Sequence, residues 1–225
     1  MKVSIAVALL ASFAPTVIKC DDTFKAFETT EELKRAVQRV LDLGTEALVE
    51  YGPMSAWKVE KITNMDGLFA NSDFEREYDL RDWDTSSVTS MNGMFQGSSI
   101  SNMGVYGWDV SRVQDMSSMF SRSAYNTDLN NWDVSKVVRF SAIFEEAAEF
   151  NQDISGWNVK AATDMENMFA GAEKFNQNLC KWGRVVNSAM VESFDSMFIG
   201  TSCEIELDPD MSPSSAPAWC HTCSK

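Results

Sequence analysis

Carboxylates and thiols are the residues of this chain whose spacing suggests chemistry. Asp84, Asp109 and Asp133 each follow directly on a tryptophan, and Asp79, Asp128 and Asp153 each stand four residues before one. If those tryptophans recur at equivalent places in successive turns of chain, the aspartates stack into columns of like charge roughly 4.8 Å apart. Such a column repels itself, and a hard cation such as Ca²⁺ relieves it by taking the oxygens as ligands. The competing use of Asp at a turn is to accept a backbone N–H just downstream. Asp84, Asp109 and Asp133 are thus the candidate calcium ligands, with turn capping as the other reading. No EF-hand loop or calcium-binding nonapeptide accompanies them.

Cys180, Cys203, Cys220 and Cys223 all lie near the end of the chain. An even set in an exported protein reads as two disulfides, with three pairings open. "AWCHTC" at 218–223 also has the C-x-x-C spacing of dithiol redox and zinc sites. It follows a Pro-rich stretch with no strand–helix unit around it, which favours a structural role. His221 is the single histidine, so a Ser-His-Asp or Cys-His apparatus has no base in the folded region. There is no phosphate-binding Gly loop and no HExxH. Acidic residues are too evenly spread for one glycosidase pair to stand out. The chain reads as a non-enzyme with no cofactor, calcium aside.

What must position these residues is a repeat. Trp57, Trp83, Trp108, Trp132, Trp157 and Trp182 are separated by 26, 25, 24, 25 and 25 residues. Eight residues after the first five come Met65, Met91, Met116, Phe140 and Met165; twelve after come Phe69, Phe95, Phe120, Phe144 and Phe169. A fixed period in this range means stacked units, each with an apolar face that only its neighbours can bury. Apolar positions five, eight and twelve after Trp have helical spacing, with Ser86, Ser111 and Ser135 placed as N-caps. The segment before each Trp, as in "DLNNW", suits a brief strand. The expected fold is therefore an α/β solenoid of one short strand plus one short helix per coil. Its Trp, Met and Phe columns are read as interior, in preference to a glycan-stacking or soft-metal surface. The Asn column (Asn102, Asn126, Asn151, Asn176) is read as a ladder serving backbone groups.

Four segments follow. Residues 1–20 read as a signal peptide, with Lys2 ahead of an apolar core from Ile5 to Ala14. Residues 21–53 read as an N-terminal helical cap, with Thr29 and Glu32 forming a capping box. Residues 54–206 hold six repeat units, and 207–225 form a Pro/Ser-rich, Cys-containing tail. No stretch is long and apolar enough to cross a bilayer as a helix. The formal net charge of −14 argues against a nucleic-acid partner, which wants a Lys/Arg stripe.

The tract "FNQDISGWNVKAATDMENMFAGAEKFNQNLCKW" at 150–182, with "YGPMSAW" at 51–57, resembles the BspA-like, mycoplasma lipoprotein-associated repeats of bacterial and algal surface proteins. The resemblance covers about residues 30–200. It implies a leucine-rich-repeat-like solenoid at or outside the cell surface and, for some members, adhesion; it implies no catalytic residues. Lys58 departs from the pattern by replacing the Asp after Trp57, and the sixth unit is stretched. The resulting expectation is a secreted or cell-surface, non-enzymatic module that recognises an extracellular protein or glycan. The alternative is a calcium-stabilised structural or matrix protein.

Overall fold

The structure, a computed structural model, describes residues 25–73, 78–101, 104–186, 191–211 and 218–223. The export segment read at 1–20, together with Cys20 and Asn102, lies outside the described residues.

The chain begins with α1, Thr30–Leu43. The Thr29 hydroxyl accepts the Glu32 N–H at 3.2 Å, and the Glu32 carboxylate accepts the Glu28 N–H at 3.1 Å. This is a capping box whose return arm reaches one residue further upstream than usual. Leu33, Ala36, Val37 and Val40 form the buried stripe of α1, and Gly44, with φ of 59°, stops it. A single turn, α2 (Leu48–Tyr51), follows. The Thr30 hydroxyl donates to Asn64 O at 2.8 Å and so fastens the start of α1 to the first coil.

From Trp57 the chain winds as stacked coils, but not of the expected kind. Among the described residues the repeat tract has no α-helix and no strand. Successive coils touch through isolated parallel bridges that run Asn64–Ser90–Asp115–Arg139–Asp164–Ser193, one residue per coil. The α/β, leucine-rich-repeat-like coil of strand plus helix is therefore incorrect, and Ser86, Ser111 and Ser135 cap no helix.

The second coil shows the physical reason. Its alternate N–H groups leave the coil: Met91 donates to Asp115 O, Gly93 to Ser117 O, Phe95 to Met119 O and Gly97 to Ser121 O, at 2.8–2.9 Å. The intervening groups close tight turns, Met94 to Met91 O, Gln96 to Gly93 O and Ser98 to Phe95 O. An α-helix would need every one of these donors for its own i−4 carbonyl. The first and third turns also need a left-handed third residue. That position holds Gly67, Gly93, Ser118, Ala142, Asn167 and Ser196, all with φ between 54° and 62°. Four residues on, Asn71, Gly97, Arg122, Glu146, Gly171 and Gly200 repeat it. Overlapping turns bonded three residues apart bring every third or fourth side chain inward. They mimic helical spacing in the sequence while the backbone does something else.

The columns themselves are interior. The Phe column runs Phe69, Phe95, Phe120, Phe144, Phe169, Phe198, with centroids 5.5–5.7 Å apart and rings within 11° of parallel. From the second coil to the sixth, the indole N–H reaches back one coil to a carbonyl: Trp83 to Met54 O at 2.7 Å, Trp108 to Leu80 O at 2.9 Å, Trp157 to Leu129 O at 3.1 Å. A buried Trp needs such a partner, and the repeat supplies it automatically. Met91, Met94, Met116 and Met119 are fully buried, so this column presents no sulfur to solvent.

Candidate functional site

With the aromatic and Met columns buried, the outward chemistry belongs to short polar turns. At three positions of the repeat an Asp or Asn recurs and acts in the same way. Four residues before Trp, Asp79, Asp128 and Asp153 accept the N–H of Arg81, Asn130 and Ser155 at 2.8–3.1 Å. Directly after Trp, Asp84, Asp109 and Asp133 accept the N–H of Ser86, Ser111 and Ser135 at 2.9–3.1 Å. At the bridge position, Asn64, Asp115 and Asp164 accept from Asp66, Ser117 and Glu166 at 2.9–3.1 Å. Asx turns of this kind hold a tight bend without a helix or a ladder.

These bonds show in the acidities. The Ser86 hydroxyl, then its N–H, holds the Asp84 carboxyl below the ordinary range, and Ser135 does the same for Asp133. Asp153 is lowered by the Ser155 N–H and Asp79 by the Arg81 N–H. At Asp115 burial pushes upward as the largest single influence. The Ser117 donors and Arg139 together outweigh it, so the net direction is down. Each carboxylate is thus stabilised as an anion by its own turn. Among the described residues no three His, Cys, Asp or Glu side chains come together in a group able to hold a metal. Asp84, Asp109 and Asp133 lie in one exposed column, but each spends an oxygen on a neighbouring backbone N–H.

The Asn column likewise serves the chain. The Asn126 side-chain oxygen accepts the Asn151 N–H at 3.0 Å, and that of Asn151 accepts the Asn176 N–H at 2.9 Å. The amides of Gln152 and Gln177 add bonds to the carbonyls of Asn126 and Asn151 at 3.0 Å.

What remains for a ligand is the partly exposed strip between Trp and the bridge position. Four residues after Trp stand Lys61, Ser87, Arg112, Lys136 and Ala161; six after stand Thr63, Thr89, Gln114, Val138 and Thr163. Lys61 pairs with Glu28 at 2.7 Å. Arg112 and Lys136 are exposed, and neither forms an ion pair among the described residues. This strip runs beside the Asp84, Asp109 and Asp133 column, so both charge signs are offered along one edge.

The four cysteines close the far end. They pair as Cys180–Cys223 and Cys203–Cys220, with Cα atoms 5.5 and 4.8 Å apart. The tail they tie down lays Trp219, fully buried, edge-on against Trp182 and Phe194. His221 faces Asn176 O and the Glu204 carboxylate at 3.4 Å each, far from any nucleophile–base arrangement. Sequence reasoning missed two residues here. Asp208 accepts the N–H groups of Ser196 and Met197 at 3.0 and 2.8 Å, and Glu206 accepts that of Gly200 at 3.1 Å. The available signal was the need of a last coil, with no successor, for substitute acceptors.

Two overlapping stretches, residues 31–124 and 100–206, match the family model described as Mycoplasma protein of unknown function, DUF285. Together they span most of the chain, which belongs to that family. No curated protein and no solved structure matches the chain.

Proposed function

We propose that this member of the family is an exported or cell-surface protein of the BspA-like kind, which binds an extracellular protein or glycan along one long side of its coils and catalyses no reaction. The observation that carries this reading is the division of labour within each coil. Inward positions repeat from coil to coil, whereas the strip four residues after Trp, with Lys61, Ser87, Arg112, Lys136 and Ala161, changes at every step. A fixed frame with a variable outer row is how repeat proteins build extended recognition surfaces. The two disulfides fit an oxidising compartment. Among the described residues no helix is long and apolar enough to cross a membrane.

The test is binding of the oxidised full chain to a broad glycan array and to extracellular matrix proteins, first in millimolar Ca²⁺ and then in chelator. Specific binding that persists in chelator and weakens in an Arg112→Gln, Lys136→Gln double variant supports the reading. Binding that vanishes with the chelator transfers the role to the Asp84, Asp109, Asp133 column and to the calcium-stabilised alternative. Absence of any binding to either panel sinks the recognition proposal.

A further inference from the structure

Several columns of the repeat change character together at the sixth coil. Four residues before Trp, the aspartates of earlier coils give way to Asn178. One residue before, where Asp82, Asn131 and Gly156 stand, the chain has Lys181. One residue after, the acidic column has already given way to Asn158 in the fifth coil, and the sixth has Gly183. Two residues after, Val110, Val134 and Val159 are buried, but the sixth coil has an exposed Arg184. The changes at Asn178, Lys181 and Arg184 remove negative charge, add positive charge, or bring a cation out to solvent. On a chain of net charge −14 they run against the composition.

They also converge in space. Asn178, Lys181 and Arg184 line one cavity of about 180 Å³, whose remaining wall is Thr222 and the Cys180–Cys223 disulfide. Among the described residues the lining contains no carboxylate. Among the described residues neither cation forms an ion pair, although Lys181 does help to lower the Asp153 carboxyl from outside the cavity. Asn178 uses its side-chain oxygen on the Cys180 N–H at 3.0 Å, so its NH₂ is the end left for a ligand. The Lys181 ammonium donates to Ser155 Oγ at 3.2 Å, which holds it in place with donors to spare. The concavity therefore offers donors: an amide NH₂, an ammonium, a guanidinium and the Thr222 hydroxyl. Closing the end of the stack explains polar residues here; it does not explain two cations and the loss of a repeated Asp.

We infer that this cavity binds one small oxyanion group, a carboxylate, sulfate or phosphate ester, either free or presented at the end of a larger ligand. Guanidinium and ammonium groups suit such oxygens through charge-assisted hydrogen bonds, and a partly enclosed site strengthens them relative to open water. The inference stands apart from the recognition strip, since a free anion satisfies it.

The experiment titrates the oxidised full chain with sodium sulfate, with chloride adjusted to keep ionic strength constant, and follows backbone amide resonances. Saturable shifts confined to Cys180, Lys181, Arg184 and Thr222 are expected. Arg184→Gln and Lys181→Gln should each weaken binding by about tenfold, and a change at the exposed Lys160, Lys160→Gln, should not. Asn178→Asp is the sharper variant. Asp already makes this turn in other coils, so the fold survives, while a carboxylate in the cavity repels the anion and abolishes binding. Shifts that grow linearly and spread over all exposed cations overturn the proposal, as does undiminished binding by a folded Asn178→Asp protein. Repeating the titration with a monosaccharide sulfate separates the sources: tighter binding than inorganic sulfate marks a glycan end, and equal binding marks a free ion.

Discussion

The inner coils and the sixth coil satisfy the same backbone groups by different chemistry. In the third coil Phe120 lies between Phe95 and Phe144 at 5.7 Å each, and its N–H donates to Ile143 O of the next coil at 2.9 Å. Each rung is completed by a near-copy of itself. The sixth coil has no successor. Carboxylates of Asp208 and Glu206 take over as acceptors for Ser196, Met197 and Gly200. Trp219 covers Trp182 at an interplanar angle of 71°, whereas Trp83 and Trp108 stack within 4°. Two covalent bonds then hold this substitute in place. A stack thus closes when its last coil's needs are met by parts that offer no new edge, so the end gives up copyability and gains tethering.

That contrast sets the largest expected effect. Phe120→Ala removes a ring packed on both faces in the middle of the stack and should cost about 3–5 kcal/mol in chemical denaturation. Phe198→Ala, at the last coil, has a Phe neighbour on one side only and should cost less. Equal losses would break the comparison. Next come the disulfides. The Cys180–Cys223 bond spans 43 residues and Cys203–Cys220 spans 17. The chain-entropy relation gives about 4 and about 3 kcal/mol respectively on replacement of each pair by Ser. The buried Cys203–Cys220 bond pins Trp219 through its neighbour Cys220, so the shorter loop proving the costlier loss would show that packing, and not loop entropy, governs the cap.

The period and the interior columns were legible because apolar burial leaves a spacing in the sequence. The Trp count located every coil, and Thr29 with Glu32 located the start of α1. The backbone inside a coil was not legible. Apolar residues five, eight and twelve after Trp fit a helix and a chain of overlapping turns equally well, and only the left-handed residues distinguish them. Gly67 and Gly93 hinted at this, but Ser118, Ala142 and Asn167 at the same position hid it. The turn bonds of the Asp column were hidden for a related reason. Stacked aspartates look like ligands when read as charge, yet each one's bond to the N–H two residues on is a local matter that periodicity does not report. The cation-lined cavity was invisible because it needs residues of the sixth coil and Thr222 of the tail to meet, and the disulfide pairing that joins them was open.

Acid should separate the two regions more gently. Asp84, Asp133 and Asp153 have folded acidities shifted below the ordinary range, so the stabilisation they supply is complete above about pH 5 and is lost as pH falls through the unfolded value of about 4 and then through their lowered values. Melting temperature should be flat from about pH 7 to 5 and then decline. Asn178 makes the same turn with a neutral amide. The amide resonances of Ser86, Ser135 and Ser155 should therefore titrate with midpoints below that of an ordinary Asp, while Cys180 shows no such step. A step at Cys180 equal to the others would erase the distinction.

The smallest effect carries the most about the backbone. Ala142 sits at φ of 55°, where a side chain costs roughly 1–2 kcal/mol relative to glycine, while glycine's extra freedom when unfolded returns about 0.4–1 kcal/mol. Ala142→Gly should therefore stabilise the protein by about 0.5–1 kcal/mol. In a coil built on a helix the same change would destabilise by about 1 kcal/mol. The sign alone decides, and a chemical denaturation midpoint reads it. Ser196→Gly makes the test at the end of the stack. Its N–H bonds to Asp208 and not to a seventh coil, so a looser end would show a smaller gain there, because a mobile segment relieves its own strain.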